Sequence, residues 1–174
     1  MFRKWVLAGL QFFTWLSSVS NSINAKAADD IFRFVLKGKG AIQSCTKEIL
    51  KEVAVRLDAR SPVGNPSLWH PPYWPKGYVP GHFRGNWQMG VDARPTGVLP
   101  NIDATGVSSV ARMHKAIPRW PVGHIYYFTN NLPYARLLET GLHSSQVGPG
   151  GMVGLTVMEY QQIVRQAELN YAKD

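Results

Sequence analysis

Between Pro62 and Gly85 the chain carries Pro62, Pro66, Pro71, Pro72, Pro75 and Pro80. Proline locks φ and removes a backbone donor, so neither a long helix nor a central strand can run through this stretch. Residues 62–85 therefore read as one long loop that ends a helical part and precedes a sheet-forming part. Loops of this length inside a compact domain usually carry function. Trp69, Tyr73, Trp74 and Tyr78 give it broad contact surfaces held stiff by proline. Two readings follow: a loop that binds a neighbouring subunit, or a flap folded back over its own core.

Ahead of the loop the pattern is helical. Asp29 and Asp30 can cap and charge a helix start before Ile31, Phe32, Phe34, Val35 and Leu36, and Gly38-Lys39-Gly40 predicts an end or interruption of that run. From Ala41 to Arg60, Ile42, Cys45, Ile49, Val53 and Leu57 recur at three- and four-residue steps, the signature of an amphipathic helix. Lys47, Glu48, Lys51, Glu52, Arg56 and Asp58 fill its other face, so Glu48 and Glu52 are expected to pair with Lys51 and Arg56. Cys45, the single cysteine, is expected to be a reduced, partly buried thiol.

Beyond the loop the period changes. Asn86 to Ala93 alternates Trp87, Met89 and Val91 with Gln88, Gly90 and Asp92, which predicts a strand, and His124 to Thr129 predicts a second. A weaker helical segment lies at Ser108 to Ala116. Pro133 opens a short helix over Tyr134 to Glu139 that Gly141 caps. Met152 to Thr156 is expected to be a last strand. A closing helix follows, with Val157, Tyr160, Val164, Ala167 and Tyr171 as an apolar stripe on the sheet. The expected class is α+β: a small, mostly antiparallel sheet flanked by an N-terminal amphipathic helix and a C-terminal helix. The domain limits are an apolar extension, 1–28, and one domain, 29–174, containing loop 62–85.

The first residues admit several readings. Phe2-Arg3-Lys4, the apolar run Trp5 to Val19 and Ala25-Lys26-Ala27 have the zones of a secretory signal. The run is shorter than the roughly 20 residues that cross a bilayer. Trp5, Phe12 and Trp15 spread around a helix, which suits docking against another subunit. A retained docking helix, a signal or membrane-associating segment, and a mis-assigned start codon all fit.

With 45% hydrophobic and 17% charged residues among 174, the chain can bury a core. Its formal charge of +8 favours acidic partners, but the cations form no run or motif that reads bases, leaving non-specific contact with DNA at most. His70, His82, His114, His124 and His143 lack helical metal-site spacing, and Gly148-Pro149-Gly150-Gly151 lacks the lysine of a phosphate loop. His143, Ser144 and Ser145 do not make a triad by composition. The expectation is a chain that is not an enzyme and has no catalytic, metal or cofactor-binding residues, no cofactor and no small-molecule substrate.

Three stretches taken in order resemble the neck and minor tail-component family of tailed bacteriophages. The first is Arg60-Ser61-Pro62-Val63-Gly64 leading to Gly81-His82-Phe83-Arg84-Gly85-Asn86-Trp87-Gln88. The second is Asn131-Leu132-Pro133-Tyr134-Ala135-Arg136-Leu137-Leu138-Glu139-Thr140-Gly141, similar to a Pro-Tyr-Ala-x-x-x-Glu-x-Gly signature. The third is Gly151-Met152-Val153, after Gln146 to Pro149. The resemblance covers the chain from about Ala28 to its end and leaves the apolar N-terminal segment outside.

It implies a structural virion protein at the head-to-tail joint, assembled in the host cytoplasm. There it would form a homo-oligomeric ring, six-fold favoured, through which DNA passes. Implied partners are head-completion, tail-terminator or tail-tube proteins. Interface candidates are Trp5, Phe12, Trp15, Trp69, Tyr73, Trp74, Tyr78, Arg84, Arg136 and Glu139. Arg84 and Arg136 are expected to meet carboxylates within or across subunits, with Glu139 one partner. Trp87 and Tyr134 are expected in the core rather than at an interface. The alternative readings are an exported or membrane-associated bacterial protein and, third, a small hydrolase.

Overall fold

The computed structural model describes residues 25–68, 78–141, 144 and 146–171. The chain divides into two units, Met1–Gly40 and Ala41–Asp174. Helix α1 spans Ala25–Ala59 without a break. Asp29 and Asp30 therefore lie inside the helix and do not cap it; the Asp29 carboxylate accepts from Arg33 Nε one turn on, at 2.7 Å. Gly38 and Gly40 also stay helical, contrary to the expected interruption. Each glycine costs about 1 kcal/mol relative to alanine, but a helix nucleated on both sides keeps its hydrogen-bond ladder through them. In this first part of α1, Phe32, Phe34 and Leu36 are exposed.

In the second unit the fold is α+β, as the periodicity predicts. After a 3-10 turn at Pro66–Leu68 and a one-turn helix α2 (His82–Gly85), strand β1 (Trp87–Val91) pairs antiparallel with β2 (Tyr126–Asn130). Loop 62–85 thus ends in a helical turn. Helix α3 (Val107–Ala116) joins the strands, and α4 (Ala135–Glu139), α5 (Met152–Met158) and α6 (Tyr160–Tyr171) follow. Gly141, at φ 70°, ends α4 as expected. The segment Met152 to Thr156 is helix, not strand. A short apolar run is ambiguous by periodicity, and here a distant carboxylate, that of Glu139, settles it.

Two apolar clusters hold the unit together. Trp87 from β1 packs with Ala54 and Leu57 of α1 and Met113 of α3, and Met89 and Phe128 extend the same sheet face. Phe83, Leu132, Val147 and Met152 form the second cluster under α4 and α5. The Phe83 and Trp87 rings meet edge to face, 6.2 Å between centroids, and connect the two clusters. The last helix does not lie on the sheet. Its Ala167 carbonyl faces the Cys45 thiol at 3.8 Å, and Glu159 at its start pairs with Arg56 and Arg60. Ile163 and Ala167 are its buried residues, whereas Val157 and Tyr160 are exposed; Met152, Thr156, Ile163 and Ala167 share one face, turned inward where Arg60 and Arg56 hold Thr156 and Glu159. Glu48 and Glu52 do pair with Lys51 and Arg56, each at 2.8 Å.

Behind the first cluster lies a buried acidic pair. Asp103 receives Gly106 N–H and Thr105 Oγ1 on one oxygen and Ser108 Oγ and Ser109 N–H on the other, and so caps α3. Burial raises its carboxyl, but these donors outweigh burial and hold it well below the usual range. Asp58 accepts Ser109 Oγ at 2.5 Å with Arg84 Nε 3.7 Å away, and burial pushes its carboxyl up. Gly106 (φ 84°) lets the chain pass Asp58, because a Cβ there would overlap the carboxylate.

Asp103→Asn removes two of the acceptor positions and is expected to lower stability by about 2 kcal/mol at neutral pH. The stability Asp103 contributes is complete above its unfolded-state pKa of about 3.9 and is lost as pH falls through that value toward the lower folded one. The gap between wild type and D103N should therefore narrow from about pH 5 downward. Urea unfolding at neutral and acid pH checks this; a gap that widens in acid contradicts it.

Candidate interaction surface

The residues that carry the sequence resemblance are scattered along the chain, and the fold brings them together. Ser61 follows the end of α1. Its hydroxyl donates to Leu57 O at 2.7 Å and accepts the Trp87 indole N–H at 2.6 Å, while its carbonyl accepts Arg84 Nη2 at 2.9 Å. The Ser-Pro-Val helix end and the Phe-Arg-Gly-Asn-Trp strand entry are thus two halves of one contact. Asn86, fully buried, completes it: its amide donates to His82 O and Leu99 O and accepts Leu99 N–H.

The second and third stretches lock in the same way. The Glu139 carboxylate accepts the N–H groups of Met152, Val153 and Gly154 at 3.0 to 3.1 Å. These are donors that a helix start leaves unpaired, and the negative charge sits at the positive end of α5. Gly151 (φ 68°) is required beside it, since a Cβ would overlap both the Glu139 carbonyl and its carboxylate. Gln146 then ties the third stretch to the first, accepting Val63 N–H and donating to Val63 O, each at 2.9 Å.

Above this frame an open groove of about 440 Å³ runs past β2. Phe83, Trp87, Ala135 and Met152 form its apolar floor, and Tyr127, Phe128, Thr129 and Asn130 line it from the strand. Arg94 and Arg136 stand exposed on its rim. Among the described residues no group of three His, Cys, Asp or Glu side chains is placed to hold a metal ion, and no helix is long and apolar enough to cross a membrane.

Of the interface candidates, Trp5, Phe12, Trp15, Trp69, Tyr73 and Trp74 lie outside the described residues. Tyr78 is half-buried and bonds the Gly64 backbone. Arg84 is turned inward, donating to Ser61 O and Ala104 O beside Asp58, so its carboxylate partner is within the chain. Glu139 pairs with neither expected arginine because the α5 amides occupy it. Arg136 faces solvent at the groove. Trp87 is buried as expected; Tyr134 is not a core residue but 37% exposed, with its ring tilted against Phe83 at 6.1 Å.

Sequence reading overlooked the roles of Arg94, Thr129 and Asp103, and it placed Asp58 on the charged face of α1, whereas Asp58 is buried beside Asp103. The Asp103 cap had a signal, an Asp followed by Thr, Gly and two Ser ahead of a helical pattern. The groove had none, because segments far apart in the chain build it. No family model, curated protein or solved structure matches the chain.

Glu139→Ala should lower stability by about 2–3 kcal/mol, since it strands three helix-start donors. Arg136→Ala, on an exposed side chain, should change it by less than about 0.5 kcal/mol. Denaturant unfolding of both variants decides; equal losses would contradict the assignment of Glu139 as a cap.

Proposed function

We propose that this chain is a structural subunit of the tailed-phage head-to-tail joint, which assembles into a ring and acts by binding its neighbours rather than by catalysis. The observation that carries this reading is the convergence of the three resembling stretches. Their recurring residue types are Ser61, Arg84, Asn86, Trp87, Glu139 and Gly151. Each is used to fix one segment of backbone against another. Such residues preserve a shape, and a preserved shape is what a ring subunit repeats by symmetry. The exposed Phe32, Phe34 and Leu36 of α1 and the open groove supply apolar surface for contacts between copies or with adjoining proteins. The net charge of +8 suits a wall past which DNA moves without sequence recognition.

Interrupting the gene in the phage genome that encodes the chain should leave DNA-filled heads and complete tails that fail to join, visible by electron microscopy. Trp69→Ala with Trp74→Ala should reduce joining more than it lowers the melting temperature of the isolated chain, because interface aromatics act chiefly on binding. Joined, infectious particles made without the chain would overturn the proposal. So would recovery of the chain from the cell envelope with its first residues removed, which favours the exported reading.

A further inference from the structure

The hydrogen-bond phase of the sheet shows which edge of β2 is open. In an antiparallel pair, opposite residues alternate between those that exchange hydrogen bonds and those whose N–H and C=O point outward. Asp92 N–H donates to Ile125 O at 2.8 Å, in the same register that sets Gly90 opposite Tyr127 and Gln88 opposite Thr129. These are the bonded pairs. The backbone groups of Trp87, Met89 and Val91 therefore point away on one side, and those of Tyr126, Phe128 and Asn130 on the other.

The β1 side is partly covered, since Arg112 Nη2 donates to Gly85 O at 2.7 Å and to Trp87 O at 2.9 Å. These bonds independently support the phase. On the β2 side, no described residue pairs with the outward groups of Tyr126, Phe128 and Asn130.

The groove lies along this open edge. It is lined by residues from both faces of β2, Tyr127 and Thr129 from one and Phe128 and Asn130 from the other, which only a channel beside the strand can be. Thr129 is 9% exposed and its Oγ1 is buried without a hydrogen-bond partner. A buried hydroxyl left unpaired is costly, so Thr129 marks a place where the polar contacts of β2 are incomplete.

We infer that the free edge of β2 and its groove are a docking site for an extended, acid-flanked segment of another protein, which adds a third strand beside β2. The added strand supplies the backbone partners that the outward groups of Tyr126, Phe128 and Asn130 do not find among the described residues. Its alternate apolar side chains enter the floor of Phe83, Ala135 and Met152. Charge selects the occupant: Arg94 and Arg136 flank the groove, and Glu139, the one carboxylate among the described residues of its lining, is engaged by the α5 amides. The inference rests on the edge geometry, the groove lining and its charge, and holds whether or not the chain belongs to a phage neck.

The test uses the full chain to select from displayed random peptides of about ten residues, the upper length of ordinary strands. Enriched peptides should alternate apolar residues between flanking Asp or Glu. The best of them, bound as a synthetic peptide, should slow hydrogen exchange at the amides of Tyr126, Phe128 and Asn130 and leave Tyr127 and Thr129 as they were. Arg94→Glu with Arg136→Glu should weaken that peptide roughly tenfold without lowering the melting temperature.

Four results overturn the inference. The first is no enrichment above a display control. The second is binding that leaves the three amides unprotected. The third is equal protection produced by raising the protein concentration without peptide, which assigns the edge to a second copy. The fourth is protection of the same amides by oligo-dT, which assigns the groove to nucleic acid.

Discussion

The hydrogen bond from the Trp87 indole to Ser61 Oγ, 2.6 Å and buried, is the contact on which the rest of the second unit depends. Burying a tryptophan at the first position of a strand gains apolar contact but strands an N–H donor unless something accepts it. Ser61 can accept because it sits at the end of α1, where its own proton is taken by Leu57 O. One residue thus ends the long helix, fixes the height of β1 against it and sets which sheet face meets Ala54, Leu57 and Met113. Pro62 immediately after makes the stop irreversible.

From that contact the structure grows outward through polar side chains that bond backbone. Arg84, Asn86, Arg112, Gln146 and Glu139 each tie a loop or a helix end to a distant segment. A two-stranded sheet is too small to be stable by itself, so it needs such ties. Among the described residues the same scarcity of strands leaves the outer edge of β2 unpaired, and an unpaired edge is either a hazard or a binding surface. In this fold the economy of the scaffold and the availability of the proposed docking edge have one cause.

The sequence displayed the parts that depend on local spacing. The stripe Ile49, Val53 and Leu57 predicts the second half and end of α1, the alternation of Trp87, Met89 and Val91 predicts β1, and Pro133 with Gly141 brackets α4; these stand within a few residues of where they were expected, while the start of α1 lies at Ala25, well ahead of the expected Ala41. It did not display what depends on distant partners. Met152 to Thr156 reads as a strand until Glu139 is known to cap its amides. Val157 and Tyr160 read as buried until the arginine partners of Thr156 and Glu159 are known, which turn the neighbouring face inward. Of the site, Arg84, Arg136 and Glu139 were legible as residues to notice, but their roles differ. Arg84 and Glu139 turn inward to build the frame, and of the three only Arg136 faces solvent at the groove. Thr129 and Arg94 gave no signal, because a groove is a property of packed elements rather than of sequence windows.

The central claim is that these interlocked segments shape a ring subunit at a phage neck, and the most direct measurement is the native mass and position of the assembly isolated from virions. The account predicts a closed ring whose mass is an integral multiple of the subunit, six-fold favoured, located between head and tail. A chain that is absent from purified virions, or present only as a monomer outside the neck, would contradict it.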